Sequence, residues 1–168
     1  SLNVIECCRR FNVKKIVYAS SGGAVYGEPK YLPIDEKHDL KPIYPYGISK
    51  QVIESYLWFY WKNYGLDFVS LRYSNVYGPR QNPEGEAGVI SIFIDNIMNN
   101  KACIINADGN QTRDFVFVED VAKANLLALN KNIRNKSINI ATNTEISVND
   151  IYKRLINIFN IVIFSGRS

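Results

Sequence analysis

Short apolar and β-branched runs bounded by turn residues fall at residues 14–20, 67–73, 102–106, 114–118 and 137–141, and each has the length of a strand. Between them, residues 2–11, 45–64, 88–100, 119–131 and 147–160 read as helices. Strand and helix alternate, which predicts an α/β architecture with a largely parallel sheet. Helix 45–64 has the clearest limits, with Pro42 and Pro45 at its start and Gly65 as a favoured C-terminal cap. Ser147, with Asp150 three residues on, resembles a capping box for the last helix. Two irregular stretches, 27–44 and 77–88, follow the first and second strands. An open α/β sheet builds its ligand crevice at such places, and loops of this length in a compact domain usually carry function.

At 168 residues and 46% hydrophobic content, the chain is about one domain's worth and can bury a core. Charge adds little: 20 Lys plus Arg against 16 Asp plus Glu leave +4, scattered along the chain. That gives no electrostatic case for nucleic acid or an anionic membrane. The longest aromatic and aliphatic run, Tyr56 to Trp61, is six residues where a spanning helix needs about 20, and no secretory pattern opens the chain. Cys7 and Cys8 are adjacent and Cys103 is distant, so neither a disulfide framework nor a zinc site is expected, and a reducing cytoplasm is the expected compartment. The single histidine, His38, sits among Asp35, Glu36, Lys37 and Asp39 and reads as a solvated loop residue. Mechanisms needing two histidines are excluded. The first residue is Ser1, and residues 2–11 already read as helix interior, so the chain is expected to be a piece of a longer one.

Among possible chemical motifs, Gly22 to Gly27 matches half of a phosphate-binding P-loop, but Glu28-Pro29 follows where Lys-Ser/Thr is needed, and the motif is rejected. No GxGxxG occurs. Ser20-Ser21-Gly22-Gly23 ends a strand and reads either as a hydroxyl donor site or as a Gly-Gly turn with capping serines. With no histidine beside it, a serine nucleophile is disfavoured. Tyr-x-x-x-Lys occurs twice. Tyr26 to Lys30 spans Gly27 and Pro29 and cannot hold helical geometry, whereas Tyr46 and Lys50 open helix 45–64 one turn apart. There the ammonium approaches the phenol and favours its phenolate, an effect that a second cation such as an oxidised nicotinamide would strengthen. Taken alone, such a pair is more often an ordinary surface contact.

Four strings then appear in order: YASSGGAVYGEP, YPYGISK (whose Tyr46 lies 25 residues after Ser21), LRYSNVYGPRQNPEGEAGV and DGNQTRDFVFVEDVA. Together they resemble the NAD-dependent epimerase/dehydratase family, the extended short-chain dehydrogenases, and within it the 4-epimerases of UDP-hexoses. The resemblance covers residues 1 to about 145. It implies part of a Rossmann-like, doubly wound parallel sheet over residues 1–75 and a smaller α/β substrate-binding part over 76–168.

By the same resemblance, Tyr46 is the catalytic base and Lys50 its helix partner, which also holds the nicotinamide ribose of NAD. Ser21 is the hydroxyl that meets the reacting sugar, with Ser20 or Gly22 as the alternatives if the turn is shifted. Ser20, Tyr73 and Ser74 flank the cofactor, Asn75 meets the sugar diphosphate, and Arg113 binds phosphate, where a planar guanidinium suits the oxygens. Val89 and Asn106 fall where the family wraps the base, or serve only packing. Dehydratases of the family carry acidic residues after the catalytic hydroxyl, and Gly22-Gly23-Ala24 here favours epimerisation of UDP-glucose and UDP-galactose at C4. UDP-N-acetylglucosamine and UDP-uronates are the other sugars the resemblance admits. Helices 2–11 and 45–64 would pair with their copies in a homodimer, consistent with Trp58, Phe59, Tyr60, Trp61 and Tyr64 on more than one face of the second helix. Because the family's glycine-rich NAD turn is not in this sequence, an inactive remnant that still holds a sugar nucleotide is the second reading.

Overall fold

The computed structural model describes residues 1–85 and 88–159. Residue 160 of the expected last helix, residues 86–87 of the irregular stretch 77–88, and residues 161–168, which match no motif, lie outside the described residues. A first sheet orders three parallel strands, β1 (Lys15–Ser21), β2 (Asp67–Tyr73) and β5 (Lys136–Ile140), with β2 in the middle. Alternation along β2 explains why helices cover both faces. Phe68 packs with Ile5, Leu57, Tyr60 and Leu66 under α1 (Leu2–Arg10) and α3 (Pro45–Tyr64), while Val69 and Leu71 pack with Ala128 of α5 (Val118–Ala128). Each such side chain contributes about 1.5–3 kcal/mol by leaving water. Tyr60 also donates to Glu6 Oε2 (3.0 Å), fastening α1 to α3, and the Lys15 ammonium donates to the carbonyls of Ala128, the last residue of α5, and of Asn130 and Ile133 beyond it.

Ser74 alone separates β2 from β3 (Asn75–Tyr77), which opens a second sheet with β4 (Thr112–Phe117) parallel to it and β6 (Glu145–Ser147) antiparallel to β4. Phe93 and Ile97 of α4 (Val89–Met98) pack there against Val148, Ile151 and Leu155 of α6 (Val148–Phe159). The chain thus leaves the first sheet at residue 75 and returns to it at β5. The capping box at Ser147 is formed: its Oγ accepts the Asp150 amide (3.0 Å) and donates to Asp150 Oδ2 (2.7 Å). Gly65 ends α3 with φ 70° and donates to Trp61 O, as its place in the sequence predicts.

Three sequence expectations need correction. Residues 102–106 form no strand: Cys103 and Ile105 face the second core and Ile104 is exposed, as in a strand, but no neighbour pairs with their backbone among the described residues. Ser21 occupies the N-cap position of a four-residue helix, α2 (Gly22–Val25), with no capping bond from its side chain, so the Gly-Gly turn with capping serines is not what forms. His38 is buried rather than solvated. Its Nε2 accepts the Lys30 amide (3.0 Å), its Nδ1 lies 2.8 Å from the Asp39 carbonyl oxygen, and Tyr26 and Tyr31 pack against the ring. The loop folds back on itself and brings the ring to the Lys30 N–H as its acceptor.

At the centre of the first sheet lies a buried ion pair. The Glu54 carboxylate of α3 accepts from Arg72 of β2 (Nη2–Oε2 2.6 Å), from Ser20 of β1 (2.5 Å) and from Ser137 of β5 (2.9 Å). Arg72 Nη1 donates to the Tyr26 hydroxyl (2.9 Å), which donates to Asn139 Oδ1 (2.6 Å). Burial pushes Glu54 up, but the bonds from Arg72, Ser20 and Ser137 outweigh it and hold the carboxyl below the usual carboxylate range. The contribution of this group is therefore complete above its unfolded pKa and is lost as pH falls through the lowered folded value. Arg72→Leu leaves the carboxylate buried without its cation and should destabilise by about 3–5 kcal/mol at neutral pH. Urea denaturation checks this: the gap between variant and parent should begin to narrow above the ordinary glutamate range, where the buried, unpaired Glu54 of the variant takes up a proton, and narrow further below that range, where the parent loses the contribution of its paired carboxylate.

Candidate active site

Tyr46, Lys50 and Glu54 stand four residues apart on α3, so they share one face of the helix. Glu54 is anchored in the sheet as described, which directs the two residues before it toward the carboxyl end of β1. Lys50 Nζ donates to the Ala19 carbonyl (2.8 Å) and lies 5.5 Å from the Tyr46 ring centroid and 5.4 Å from that of Tyr18. Gly47 permits the approach of α3 to α2: a Cβ there would meet Ala24 O at 2.3 Å. Tyr46 is 55% exposed, open to a ligand from solvent. Tyr18 is half-buried, and burial, with the charges of Glu54 and Tyr46 adding to it, pushes its phenol up to about 12, so it stays protonated through the neutral range.

Ser21 is the last residue of β1, half-buried, and stands in register with Tyr73 at the end of β2. Ser20, expected beside the cofactor, instead turns its hydroxyl into the interior toward Glu54 and is 3% exposed. That favours Ser21 over Ser20 as the hydroxyl available to a ligand. The Tyr73 hydroxyl is hydrogen-bonded to the Asn125 amide (2.8 Å). Ser74 donates to Asp114 Oδ1 (2.9 Å), and the exposed Asn75 donates through Nδ2 to Asp114 O (3.1 Å). Ser21, Tyr46, Lys50, Tyr73, Ser74 and Asn75 therefore stand at the carboxyl ends of parallel strands or at the start of the helix beside them, where open α/β sheets take ligands.

The remaining candidates belong to the second half of the chain. Arg113 is exposed, with Nη1 donating to the neighbouring Thr112 carbonyl (2.7 Å). Val89 starts α4 and packs against the Phe93 cluster, and exposed Asn106 accepts from Gln111 through its carbonyl (3.3 Å). No hydrogen bond among the described residues joins these three to the Tyr46 group. No set of three metal-ligating side chains, and no helix long and apolar enough to cross a membrane, occurs among the described residues.

Sequence reading missed Glu54, Arg72, Asp114 and Tyr18. A signal did exist for the first two: Arg72 is a charge inside the apolar run FVSLRY, and Glu54 continues the four-residue spacing of Tyr46 and Lys50. A buried charge needs a partner. Asp114 gave no comparable signal, because its role depends on residues 28 and 30 positions later. Its carboxylate accepts the amides of Thr142 (3.0 Å) and Thr144 (3.1 Å). Burial pushes Asp114 up, and these amides with the Ser74 hydroxyl pull it further down, below the usual range. Asp114→Ala should release the strap at residues 142–144. Hydrogen exchange checks it: the Thr142 and Thr144 amides should lose protection, while those of β2 keep theirs.

The family model of the NAD dependent epimerase/dehydratase family matches residues 1–141. A protein of Methanocaldococcus jannaschii carrying the name "Putative UDP-glucose 4-epimerase" is 58% identical over 152 residues, covering 90% of this chain and 49% of that protein. The crystal structure of the Thermotoga maritima UDP-glucose 4-epimerase with UDP-glucose superposes with a TM-score of 0.92 at 44% identity, over 95% of this chain and 52% of that one. The Thermus thermophilus UDP-glucose 4-epimerase in complex with NAD gives a TM-score of 0.88 at 38% identity, over 96% and 53%. The chain spans about half the length of the curated relatives it matches. With its Rossmann-like sheet, its Tyr46–Lys50 pair and its motifs in family order, the chain belongs to the NAD dependent epimerase/dehydratase family.

Proposed function

We propose that the protein interconverts UDP-glucose and UDP-galactose by epimerisation at C4. The observation that carries this reading is the Tyr46 phenol, open to solvent, beside an ammonium that the Ala19 carbonyl holds at the end of the strand bearing Ser21. The donor set fits the nicotinamide end of NAD: the Lys50 ammonium and the Tyr46 and Ser21 hydroxyls can each hydrogen-bond a ribose or an amide. NAD, when bound, accepts and returns hydride at C4. In this reading Tyr46 takes the 4-hydroxyl proton as the C4–H bond breaks and gives it back as that bond re-forms on the other face of the sugar. Lys50 stabilises the phenolate electrostatically, and Ser21 orients the reacting hydroxyl by a hydrogen bond.

Asn75 and Arg113 are assigned to the diphosphate, Tyr73 and Ser74 to the nicotinamide, and Val89 and Asn106 to the nucleotide base. Residues 1–75 form the cofactor-side part and 76–168 the sugar-nucleotide part, with α5 packing on and β5 joining the first sheet. The helix that follows Ser21 is Gly-Gly-Ala-Val and holds no carboxylate, which favours epimerisation over dehydration. We place the enzyme in the cytoplasm, where the free thiols of Cys7, Cys8 and Cys103 would persist.

Two measurements test the reading. Tyr46→Phe in the full-length gene product should lower kcat by about 10²–10⁴ while UDP-sugar binding, followed by calorimetry, persists. Turnover near that of the parent would assign the base elsewhere. Self-association is the second: Val4 and Phe11 on or beside α1 and Val52, Trp58 and Phe59 on α3 are all exposed, apolar surface that a second copy would cover in a homodimer. Analytical ultracentrifugation at micromolar concentration should find a dimer, and a monomer alone would count against it.

A further inference from the structure

Three consecutive residues at the end of β1 meet α3 in different ways. Ala19 accepts from Lys50 through its carbonyl (2.8 Å), Ser20 donates to Glu54 (2.5 Å), and Ser21 follows at the open end. On the helix, Lys50 and Glu54 are one turn apart. Successive residues of the strand are therefore joined to successive turns of the helix, like two rungs. One rung alone would let the strand end pivot about it; two fix both its distance and its tilt. Glu54 is in turn immobilised by Arg72, which stands in register with Ser20 on β2, so the second rung is braced level with the strand end.

We propose that Glu54 is a positioning residue of the C4 epimerisation, acting through Ser20 and the Ala19 carbonyl to fix Ser21 and Lys50 relative to Tyr46. The proposal rests on the function assigned above. A displacement of about 1 Å in such a constellation can cost about 10²-fold in rate, so a rung of this kind has kinetic consequences without touching substrate. Ser137 supplies the control. It gives the same carboxylate a hydrogen bond of similar kind (2.9 Å), but from β5, which carries no candidate site residue. If Glu54 served stability alone, losing either serine would have the same effect.

The test compares Ser20→Ala and Ser137→Ala in the full-length gene product. Similar urea midpoints are expected for both. Ser20→Ala should lower kcat about tenfold or more with KM within about twofold, whereas Ser137→Ala should leave both within about twofold. The Cζ resonance of Tyr46, labelled with carbon-13 and assigned by its loss in Tyr46→Phe, should move in Ser20→Ala, because the Lys50 ammonium 5.5 Å from the ring centroid is displaced, and stay in place in Ser137→Ala. Equal kcat and an equal Tyr46 resonance in the two variants would overturn the proposal. Should Ser20→Ala fail to fold, Ser20→Cys keeps the volume with a weaker donor and carries the same comparison. A parent protein that turns over neither UDP-hexose would overturn the proposed function instead, and the Tyr46 resonance would still decide for or against the rungs.

Discussion

The Glu54–Arg72 pair is the constraint on which the rest of the arrangement depends. A carboxylate and a guanidinium buried in the interior of a sheet are tolerable only if their hydrogen-bonding capacity is filled, and here it is filled by groups from every layer nearby: Ser20, Ser137, and Tyr26 with Asn139 behind it. Apolar packing would hold α3 against β1 and β2 without choosing its height along them. The ionic pair chooses it, since a shift of α3 by a single residue would leave a charge unmatched. The same network reaches the loop of residues 27–44, because Asn139 also donates to Glu36 and to the Ile34 carbonyl, and so the segment leading into Tyr46 is tied to the sheet as well.

Burial sorts the polar groups at the carboxyl end of the sheet into two kinds. Ser20, Glu54 and Arg72 are interior and fully engaged, and Tyr18 is kept neutral by its surroundings. Tyr46 and Asn75 remain exposed, and Ser21 half-buried. Two phenols flank one ammonium at almost the same distance, yet Tyr46 is 55% exposed and Tyr18 is half-buried. The geometry thus separates the two tyrosines by solvation rather than by proximity to charge.

A similar economy joins the two sheets. Only Ser74 lies between β2 and β3; its amide donates to the Ile140 carbonyl (2.9 Å), and Asp114 fastens the same junction by taking the Ser74 hydroxyl on one side and the amides of Thr142 and Thr144 on the other. Asn75 and Arg113, the two residues assigned to a diphosphate, flank this junction in the chain. The carboxylate and its donors thus help to fix where these two residues stand.

Alternating strand and helix patterns, the Pro45 and Gly65 limits of α3 and the capping box at Ser147 were readable in the sequence because each depends on residues within a few positions of one another. So was the four-residue spacing of Tyr46 and Lys50, for the same reason. Residues 102–106 have the alternation of a strand, but whether a run becomes a strand depends on a partner that local pattern does not reveal. His38 has charged neighbours in sequence but the Lys30 amide and the rings of Tyr26 and Tyr31 as its neighbours in space. Which serine faces outward, which tyrosine stays protonated, and which carboxylates brace the site were set by contacts 18 to 83 residues apart for Glu54 and 28 to 40 for Asp114. Only the packed chain brings those groups into the low-dielectric surroundings where hydrogen bonds and burial act on them.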